Sequence, residues 1–153
     1  MLDFITVSGT STVMKASRFA VATHVLVSLE FRARQGEPLV SSAGLATSVN
    51  TNPVIVRELL RKLTRANLVL TKEGRNGGVR LARRAAAITL RDVYEAVEDA
   101  PPLKPNSRPV HKPCPVSCGM TSLLAPIVQD VNDSICKVLG RQNIASLTNE
   151  IRR

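Results

Sequence analysis

The chain has 153 residues, a length typical of one domain, and its hydrophobic fraction of 44% and charged fraction of 22% are those of a folded globular protein. Aromatic residues make up only 3% of the chain, which excludes the aromatic stacking platforms that hold single-stranded nucleic acid. The formal net charge of +9 favours a polyanionic partner.

The N-terminal segment shows no helical periodicity. Residues 1–13 are rich in Ser and Thr, so we expect a flexible arm, with Met14 as a candidate native start. Asp3 stands where an export signal would carry basic residues, and no run of about 18 apolar residues occurs in the chain. These features predict a cytoplasmic protein that makes no contact with a membrane.

The first predicted helix runs from Ser17 to about Arg34 and ends at the turn formed by residues 35–38. His24 lies in this helix, and a lone histidine there is expected to be a packing or surface residue rather than a ligand. The apolar residues that recur at helical spacing are Phe19, Ala22, Val25, Leu26 and Leu29.

Two further helices with a tight turn between them are predicted next. Ser41 or Ser42 caps a short helix that ends at Val49, and Asn52 and Pro53 suit the N-cap and first position of the following helix. A short helix, a tight turn and a second helix with a basic outer face make a helix-turn-helix, whose second helix enters the DNA major groove. On the second helix an apolar side faces away from three arginines: Ile55, Val56, Leu59, Leu63 and Ala66 against Arg57, Arg61 and Arg65.

A glycine-rich hairpin, or wing, is predicted directly after the second of these helices. Two short strands, Leu68–Lys72 and Val79–Ala82, flank residues 73–78, which contain an Asn-Gly step. The glycines lack the strand-to-helix context and the Gly-Lys-Ser/Thr sequence of a nucleotide site. Residues 54–84 hold nine basic and two acidic side chains, so most of the net charge lies in the second helix and the wing.

These elements predict a contact surface for double-stranded DNA. The arginines of the second helix and of the wing, together with Lys62 and Lys72, are expected to neutralise phosphates. Residues at the start of the second helix can reach base edges, although Thr51 and Asn52 also have a purely structural explanation as turn and cap. The predicted DNA-binding residues are Ser41, Ser42, Asn50, Thr51, Asn52, Val54, Arg57, Arg61, Arg75, Asn76 and Arg80.

The segment after the wing divides into a helix and a loop. Thr89 and Asp92 resemble a capping box that opens a helix, and prolines 101 and 102 end it. We therefore place a winged helix-turn-helix domain at residues 14–100. Residues 100–118 contain six of the nine prolines and two of the three cysteines, a composition that predicts a loop over residues 101–121.

A long helix is expected to begin near Ser122 or Ala125, since Pro126 is tolerable only in a first helical turn. Its wide apolar stripe fits intramolecular packing, and it fits a dimer interface at least as well, because two-fold dimers read palindromic operators. Residues 122–153 are therefore predicted to be a dimerisation helix and C-terminal tail of a mainly α fold with a small β-hairpin wing. The stripe consists of Leu124, Ile127, Val128, Val131, Ile135 and Val138.

Six short motifs follow one another along the chain: Met14–Phe19, Gly44–Ala46, Leu59–Leu63, Asn67–Val69, Gly74–Arg83 and Ile88–Val93. Together they resemble the Rrf2 (Rrf-two) family of bacterial winged helix-turn-helix transcription regulators, which includes iron-sulfur, nitric-oxide and cysteine-metabolism regulators. The resemblance is good over about residues 14–100 and loose beyond them. It implies a homodimer whose long C-terminal helix crosses to its partner; such a dimer binds an imperfect palindrome and usually represses promoters.

The three cysteines leave the cofactor open. Family members with an iron-sulfur cluster place three cysteines close together, whereas here seventeen residues separate Cys118 from Cys136. Three thiolates are one short of the usual four ligands, and His111 is a candidate for the fourth. The proline-flanked Cys114 also resembles a YwnA-like subgroup with a single cysteine and no cluster. Idle thiols, a reversible thiol or disulfide switch with Cys114 as the sensor, and a cluster therefore remain as alternatives.

Two other classes of function compete with a DNA-binding regulator. An interaction protein on a winged-helix scaffold, docked on an enzyme or a polymerase, would bind with little dependence on salt, whereas binding through several phosphates weakens steeply. An enzyme is disfavoured, because the only two histidines, His24 and His111, lie in no recognisable nucleophile or metalloprotease motif. We therefore predict a transcriptional regulator, a repressor, without catalytic residues.

Overall fold

The computed structural model describes the backbone of residues 10–151 and the side chains of residues 18–151. The elements include one two-stranded antiparallel sheet among helices, which confirms the predicted fold class. In chain order they are α1 (Thr10–Arg34), α2 (Ser42–Val49), α3 (Pro53–Arg65), β1 (Val69–Lys72), β2 (Gly78–Leu81), a 3-10 turn (Ala85–Ala87), α4 (Leu90–Val97), α5 (Pro115–Gly140) and α6 (Ile144–Glu150).

One hydrophobic core joins every element except α5. The face of α1 that the helical spacing predicts is buried, and α2, α3, the wing, α4 and α6 pack around it. This core fixes the position of α3 relative to the wing. Its fully buried side chains are Leu26, Leu45, Leu63, Leu68, Ile88, Ile144, Val25, Val56, Val69, Val93 and Val97.

Short polar side chains start three of the helices as predicted. The Ser41 hydroxyl accepts a hydrogen bond from the backbone N–H of Gly44 at 3.0 Å, and the Asn52 side chain accepts one from Val54 at 2.8 Å. Thr89 and Asp92 form a reciprocal capping box, with N–H donors at 2.8 and 3.1 Å from the partner oxygens. The starts of α2, α3 and α4 are thus set by local chemistry.

The wing is a hairpin in which Lys72 pairs with Gly78 and residues 73–77 form the connection. Both predicted strands are confirmed, with small differences at their ends. The first strand starts one residue later than predicted, after Leu68, and the second starts one residue earlier, at Gly78, and ends before Ala82. Val40, just before α2, exchanges two backbone hydrogen bonds with Val79 at 3.0 and 2.8 Å. The wing is therefore attached to the start of the helix-turn-helix.

The first helix extends further towards the N-terminus than predicted. Because α1 begins at Thr10, residues 10–13 are helical, which corrects the expectation of a flexible arm over 1–13 for these four positions. Extending an existing helix fixes only one residue per added hydrogen bond, so polar residues can continue it. Residues 1–9 of the expected arm lie outside the described part of the chain.

The last long helix begins at Pro115 rather than near Ser122 or Ala125, so residues 115–121 are helical and not part of a loop. Proline suits the first position of a helix, where its missing N–H costs no hydrogen bond. Pro126 lies inside α5, which also contradicts the prediction. Residues 120–127 are all exposed, so water can reach the carbonyl group that this proline leaves without a partner.

Within residues 10–151, none of the helices is both long and apolar enough to cross a membrane.

Candidate nucleic-acid interface

An open groove of about 830 Å³ lies between the helix-turn-helix and the wing. Four cationic side chains line it and no carboxylate does, although residues 54–84 include two acidic side chains. This sign of charge attracts a polyanion. The residues that line the groove are Ser41, Ser42, Arg57, Leu60, Arg61, Thr64, Arg65, Thr71, Lys72, Gly74, Gly77, Gly78 and Val79.

The cations of the groove are not neutralised within the described chain. Arg57, Arg61 and Arg65 lie on the exposed side of α3, and Lys72 ends β1. Among the side chains of residues 18–151, none of these four forms an ion pair. Their charges are therefore available to a partner, as the arginine column on the sequence predicts.

Lys62 does not belong to this surface, which corrects the expectation that it neutralises phosphate. Its ammonium group donates to the Asp99 carboxylate at 2.7 Å and to the Val97 carbonyl at 3.1 Å, and its side chain is only 19% exposed. Arg18 reaches the other oxygen of Asp99 at 3.2 Å. The Lys62 hydrogen bond and charge, with a smaller effect of Arg18, hold the pKa of Asp99 below its usual range.

The turn into α3 carries several polar side chains, and none of them is among the residues that line the groove. Asn50 adopts the left-handed conformation with φ of 56°, which ends α2, and its side chain is exposed. Asn52 uses its carbonyl oxygen as the cap, so its amide N–H groups remain free to donate. Thr51 is half-buried, and Val54 is 58% exposed in the first turn of α3. Asn50, Asn52 and Val54 can therefore contact a base edge more easily than Thr51 can.

The wing residues divide between its tip and its outer face. Arg75 and Asn76 are exposed in a turn that the Gly77 N–H closes by donating to the Gly74 carbonyl at 2.9 Å. Arg80 pairs across the hairpin with Leu70, on the face opposite to Val79, and it is not among the residues that line the groove. Arg75 and Asn76 thus lie between two glycines that line the groove, Gly74 and Gly77, while neither they nor Arg80 line it themselves.

Thr64 and Thr71 line the groove although the sequence analysis did not select them. Thr64 follows Arg57 by seven residues and Arg61 by three, so helical spacing already places it on the arginine face. Thr71 lies two residues after the buried Val69, on the same face of β1, and it pairs with Val79. The sequence alone does not show that this part of the face lines the groove. The hydroxyl of Thr64 donates to the Leu60 carbonyl at 2.8 Å and still can accept.

Cys114 and Cys118 lie one turn apart at the start of α5. The Cys114 sulfur caps the helix by accepting from the Ser117 N–H at 3.5 Å, and the Cys118 thiol donates to the Lys112 carbonyl at 3.6 Å. The backbone N–H of His111 donates to the Ser117 hydroxyl at 2.9 Å. Both thiols are free, and the one of Cys118 is exposed.

Cys136 is remote from this pair. It follows Cys118 by eighteen residues of one helix, a distance of about 27 Å along the axis. It is half-buried and lies near Arg91 and Tyr94 of α4. The hydrogen bond and charge of Glu95 are the main causes of the raised pKa of Arg91, and burial is the main cause of the raised pKa of Tyr94. The described residues hold no group of three His, Cys, Asp or Glu side chains fit for a metal. The three cysteines of one chain therefore do not fit a common cluster.

The apolar stripe of α5 is not covered by any side chain of residues 18–151. None of the residues in this helix is buried, so the described chain does not provide the intramolecular packing that was one explanation of the stripe. Val128 and Ile135 are half-buried, while the other four positions are 38% to 58% exposed: Leu124, Ile127, Val131 and Val138.

Comparison with known proteins links this architecture to transcription. A family model described as Rrf2, iron-dependent transcriptional regulator, matches residues 16–150. The chain is 38% identical to protein aau3 of Rhizobium meliloti (strain 1021) over 98 residues, which are 63% of this chain and 64% of aau3, just under two thirds of that relative. It is 29% identical to the HTH-type transcriptional regulator YwnA of Bacillus subtilis (strain 168) over 135 residues, 88% of this chain and 97% of YwnA. The fold matches that of CymR, the global cysteine regulator of B. subtilis, with a TM-score of 0.66 over 99% of this chain and 100% of CymR at 19% identity.

Proposed function

This chain belongs to the Rrf2 family of transcriptional regulators, and we propose that it acts in the cytoplasm as a homodimeric repressor that binds a palindromic DNA operator. The family and the related YwnA are regulators of transcription, so the protein is not an enzyme. The operator, the dimer, the repression and the signal are the parts that we propose.

The groove between α3 and the wing is the observation that carries the proposal. Its four cations have no ion-pair partner in the described chain, and α3 with its 13 residues is about 20 Å long, enough to lie along a major groove. Arg57, Arg61 and Arg65 are spaced by four residues and span about 12 Å of the helix axis. This row suits contacts to successive phosphates, which hold the helix in register.

Recognition of the DNA sequence is assigned to the start of α3. In helix-turn-helix proteins the N-terminal residues of the second helix contact base edges. Asn50 and Asn52 offer amide groups, Val54 offers an exposed apolar surface for a thymine methyl, and Thr51 stays a secondary candidate because it is half-buried. The hydroxyl groups of Ser41 and Ser42, at the N-terminal end of α2, suit phosphate contacts, as do the wing arginines.

Selection from random DNA followed by a salt titration tests this function. We expect a selected site with two half-sites about one helical turn apart, and an affinity that falls steeply as salt rises. A protein that selects no DNA sequence, and instead binds an enzyme or polymerase with an affinity insensitive to salt, would be an interaction module on a winged-helix scaffold.

The uncovered stripe of α5 supports the homodimer, because two copies can bury these side chains against each other. Ile127→Glu places a charge on a side chain that is 57% exposed, so the folded chain should tolerate it while the dimer should not. Sedimentation is expected to show a monomer for this variant and a dimer for Gln129→Glu, which lies on the opposite side of the helix. A dimeric Ile127→Glu would place the interface elsewhere.

The thiols at the start of α5 support regulation by oxidation. Cys118 is exposed and Cys114 is half-buried one turn away, so peroxide can convert a thiol there to a sulfenic acid with release of water. We expect peroxide to change operator binding by the wild type and by Cys136→Ser, but not by Cys114→Ser. Equal binding by reduced and oxidised wild type would remove the switch.

We assign no role to iron, because the three cysteines of one chain lie too far apart to bind one cluster. Protein purified without oxygen is expected to lack the broad visible absorption that iron-sulfur clusters show.

A further inference from the structure

A second cleft, of about 570 Å³, lies between α1 and the last turn of α2 and shares no lining residue with the DNA groove. Its wall is apolar and partly aromatic, and Ile151 at the end of α6 closes one side. Pockets with this composition and size commonly take small organic molecules. The apolar residues of the wall are Phe19, Ala20, Val27, Phe31 and Ile151.

A row of polar groups crosses this cleft. The Nε2 atom of His24 lies 3.3 Å from the Ser48 hydroxyl, which in turn lies 3.2 Å from the Ser28 hydroxyl. Thr23 also lines the cleft, and its buried hydroxyl has no hydrogen-bond partner among the described residues. His24 and Ser48 are exposed, so they can exchange their mutual hydrogen bond for one to a ligand.

A charged pair stands at the far end of the polar row. An adjoining pocket of about 360 Å³ shares Ser28, Phe31 and Ser48 with the cleft and adds Arg32 and Glu37. The Arg32 guanidinium and the Glu37 carboxylate are 3.4 Å apart, and their side chains are 36% and 61% exposed. Such a long and exposed ion pair is weak, so both charges remain available to a small molecule.

We propose that this cleft binds a free α-amino acid with an apolar or aromatic side chain. The carboxylate of the ligand pairs with Arg32, its ammonium group with Glu37, and its side chain enters the apolar part beside Val27 and Phe31, the second of which lines both pockets. A fatty acid would leave Glu37 facing an apolar chain or a like charge, and a phosphate compound would meet repulsion from the same carboxylate. Only a zwitterion with an apolar group complements both halves of the site.

The cleft and the DNA groove adjoin opposite ends of α2. Ser48 lies in the last turn of α2, while Ser41 and Ser42 at its start line the DNA groove. A ligand that ties Ser48 to α1 therefore biases the position of α2, and operator affinity changes with it. This regulatory half of the inference rests on the proposed DNA binding, and linkage requires that the operator change the affinity for the amino acid by the same factor.

Calorimetric titration of the full chain tests the site directly. L-leucine and L-phenylalanine are expected to bind saturably, while leucinamide, 4-methylpentanoate and L-serine, which each lack one part of the ligand, should bind at least roughly tenfold more weakly. Phe31→Glu puts a charge into the part of the cleft that adjoins Arg32 and should abolish binding, and Ser48→Ala should weaken it roughly three- to tenfold. The control is Thr47→Ala, since this neighbouring hydroxyl bonds only to the Ala43 carbonyl and does not line the cleft.

Three results would overturn the site. Folded wild-type protein could fail to bind leucine and phenylalanine at roughly 10 mM, or 4-methylpentanoate could bind as well as leucine. Phe31→Glu could also alter the oligomeric state while leaving leucine binding intact, which would mean that a second copy covers the cleft. Anisotropy of the selected operator, with and without leucine, separates the two proposals. Leucine binding without any DNA binding would leave the site and remove the proposed function, whereas DNA binding without leucine binding would remove the site alone.

Discussion

Replacement of Arg61 by alanine is expected to weaken operator binding and to flatten its salt dependence, whereas the same change at the adjacent Lys62 is not. Arg61 lines the groove without an ion-pair partner in the described chain. The ammonium group of Lys62 is held 2.7 Å from Asp99 and 3.1 Å from the Val97 carbonyl. The two positions carry the same charge, so the contrast isolates what each side chain contacts.

The size of the effect follows from counterion release. Each phosphate contact contributes about 0.9 to the slope of the logarithm of affinity against the logarithm of salt concentration. A homodimer places two copies of Arg61 on the operator, so Arg61→Ala should lower the magnitude of the slope by about 1.8. Between roughly 50 and 200 mM salt, this difference changes the ratio of wild-type to variant affinity about twelvefold. Lys62→Ala should instead lose a hydrogen bond worth about 1 kcal/mol of unfolding free energy.

Anisotropy titrations of labelled operator over a series of salt concentrations measure these slopes, and denaturant unfolding measures the stability. Arg91→Ala is the matched control, because it removes an equal charge at an exposed position of α4 outside the groove. A slope for Arg61→Ala equal to that of the wild type, or a slope for Lys62→Ala as flat as that for Arg61→Ala, would refute the assignment.

Three further predictions concern the wing and the ion pair. Arg75→Ala is expected to weaken binding to operators with AT-rich flanks more than to those with GC-rich flanks, since a narrow minor groove attracts arginine; equal losses in a competition assay would count against it. Gly77→Ala should weaken operator binding, because the added Cβ would overlap the carbonyl of the facing strand, while Gly140→Ala, with open space around it, should bind normally in the same assay. Lys62 lowers the pKa of Asp99 in the folded state. The ionised carboxylate therefore stabilises the folded protein at pH values above the pKa that Asp99 has in the unfolded chain, and this stabilisation is lost as the pH falls through the lower pKa of the folded state. The gap in unfolding midpoint between wild type and Asp99→Asn should therefore be present at neutral pH and close in acid.

Local chemistry explains why three of the six described helix starts, those of α2, α3 and α4, could be predicted from the sequence. Ser41, Asn52 and Thr89 cap their helices through hydrogen bonds to residues two or three positions ahead, so neighbouring residues contain the whole signal. Pro115 was misjudged because proline content was taken as a loop signal over the entire stretch, whereas the last proline of the stretch occupies a position that favours helix formation. The position of Cys136 beside α4 depends on the packing of α5 against α4, which local composition does not reveal.

The basic surface shows the corresponding limit for the functional site. A helical wheel gives the direction of a side chain around the helix axis, and Arg61 and Lys62 differ there by about 100°. It does not show which part of the chain lies in that direction. The acid that binds Lys62 is thirty-seven residues further along, at the end of α4, and it reaches α3 only because both helices pack on the same core. A count of basic residues therefore overstates the charge available to DNA, and each cation has to be tested against acidic side chains from distant segments before it is assigned to the interface.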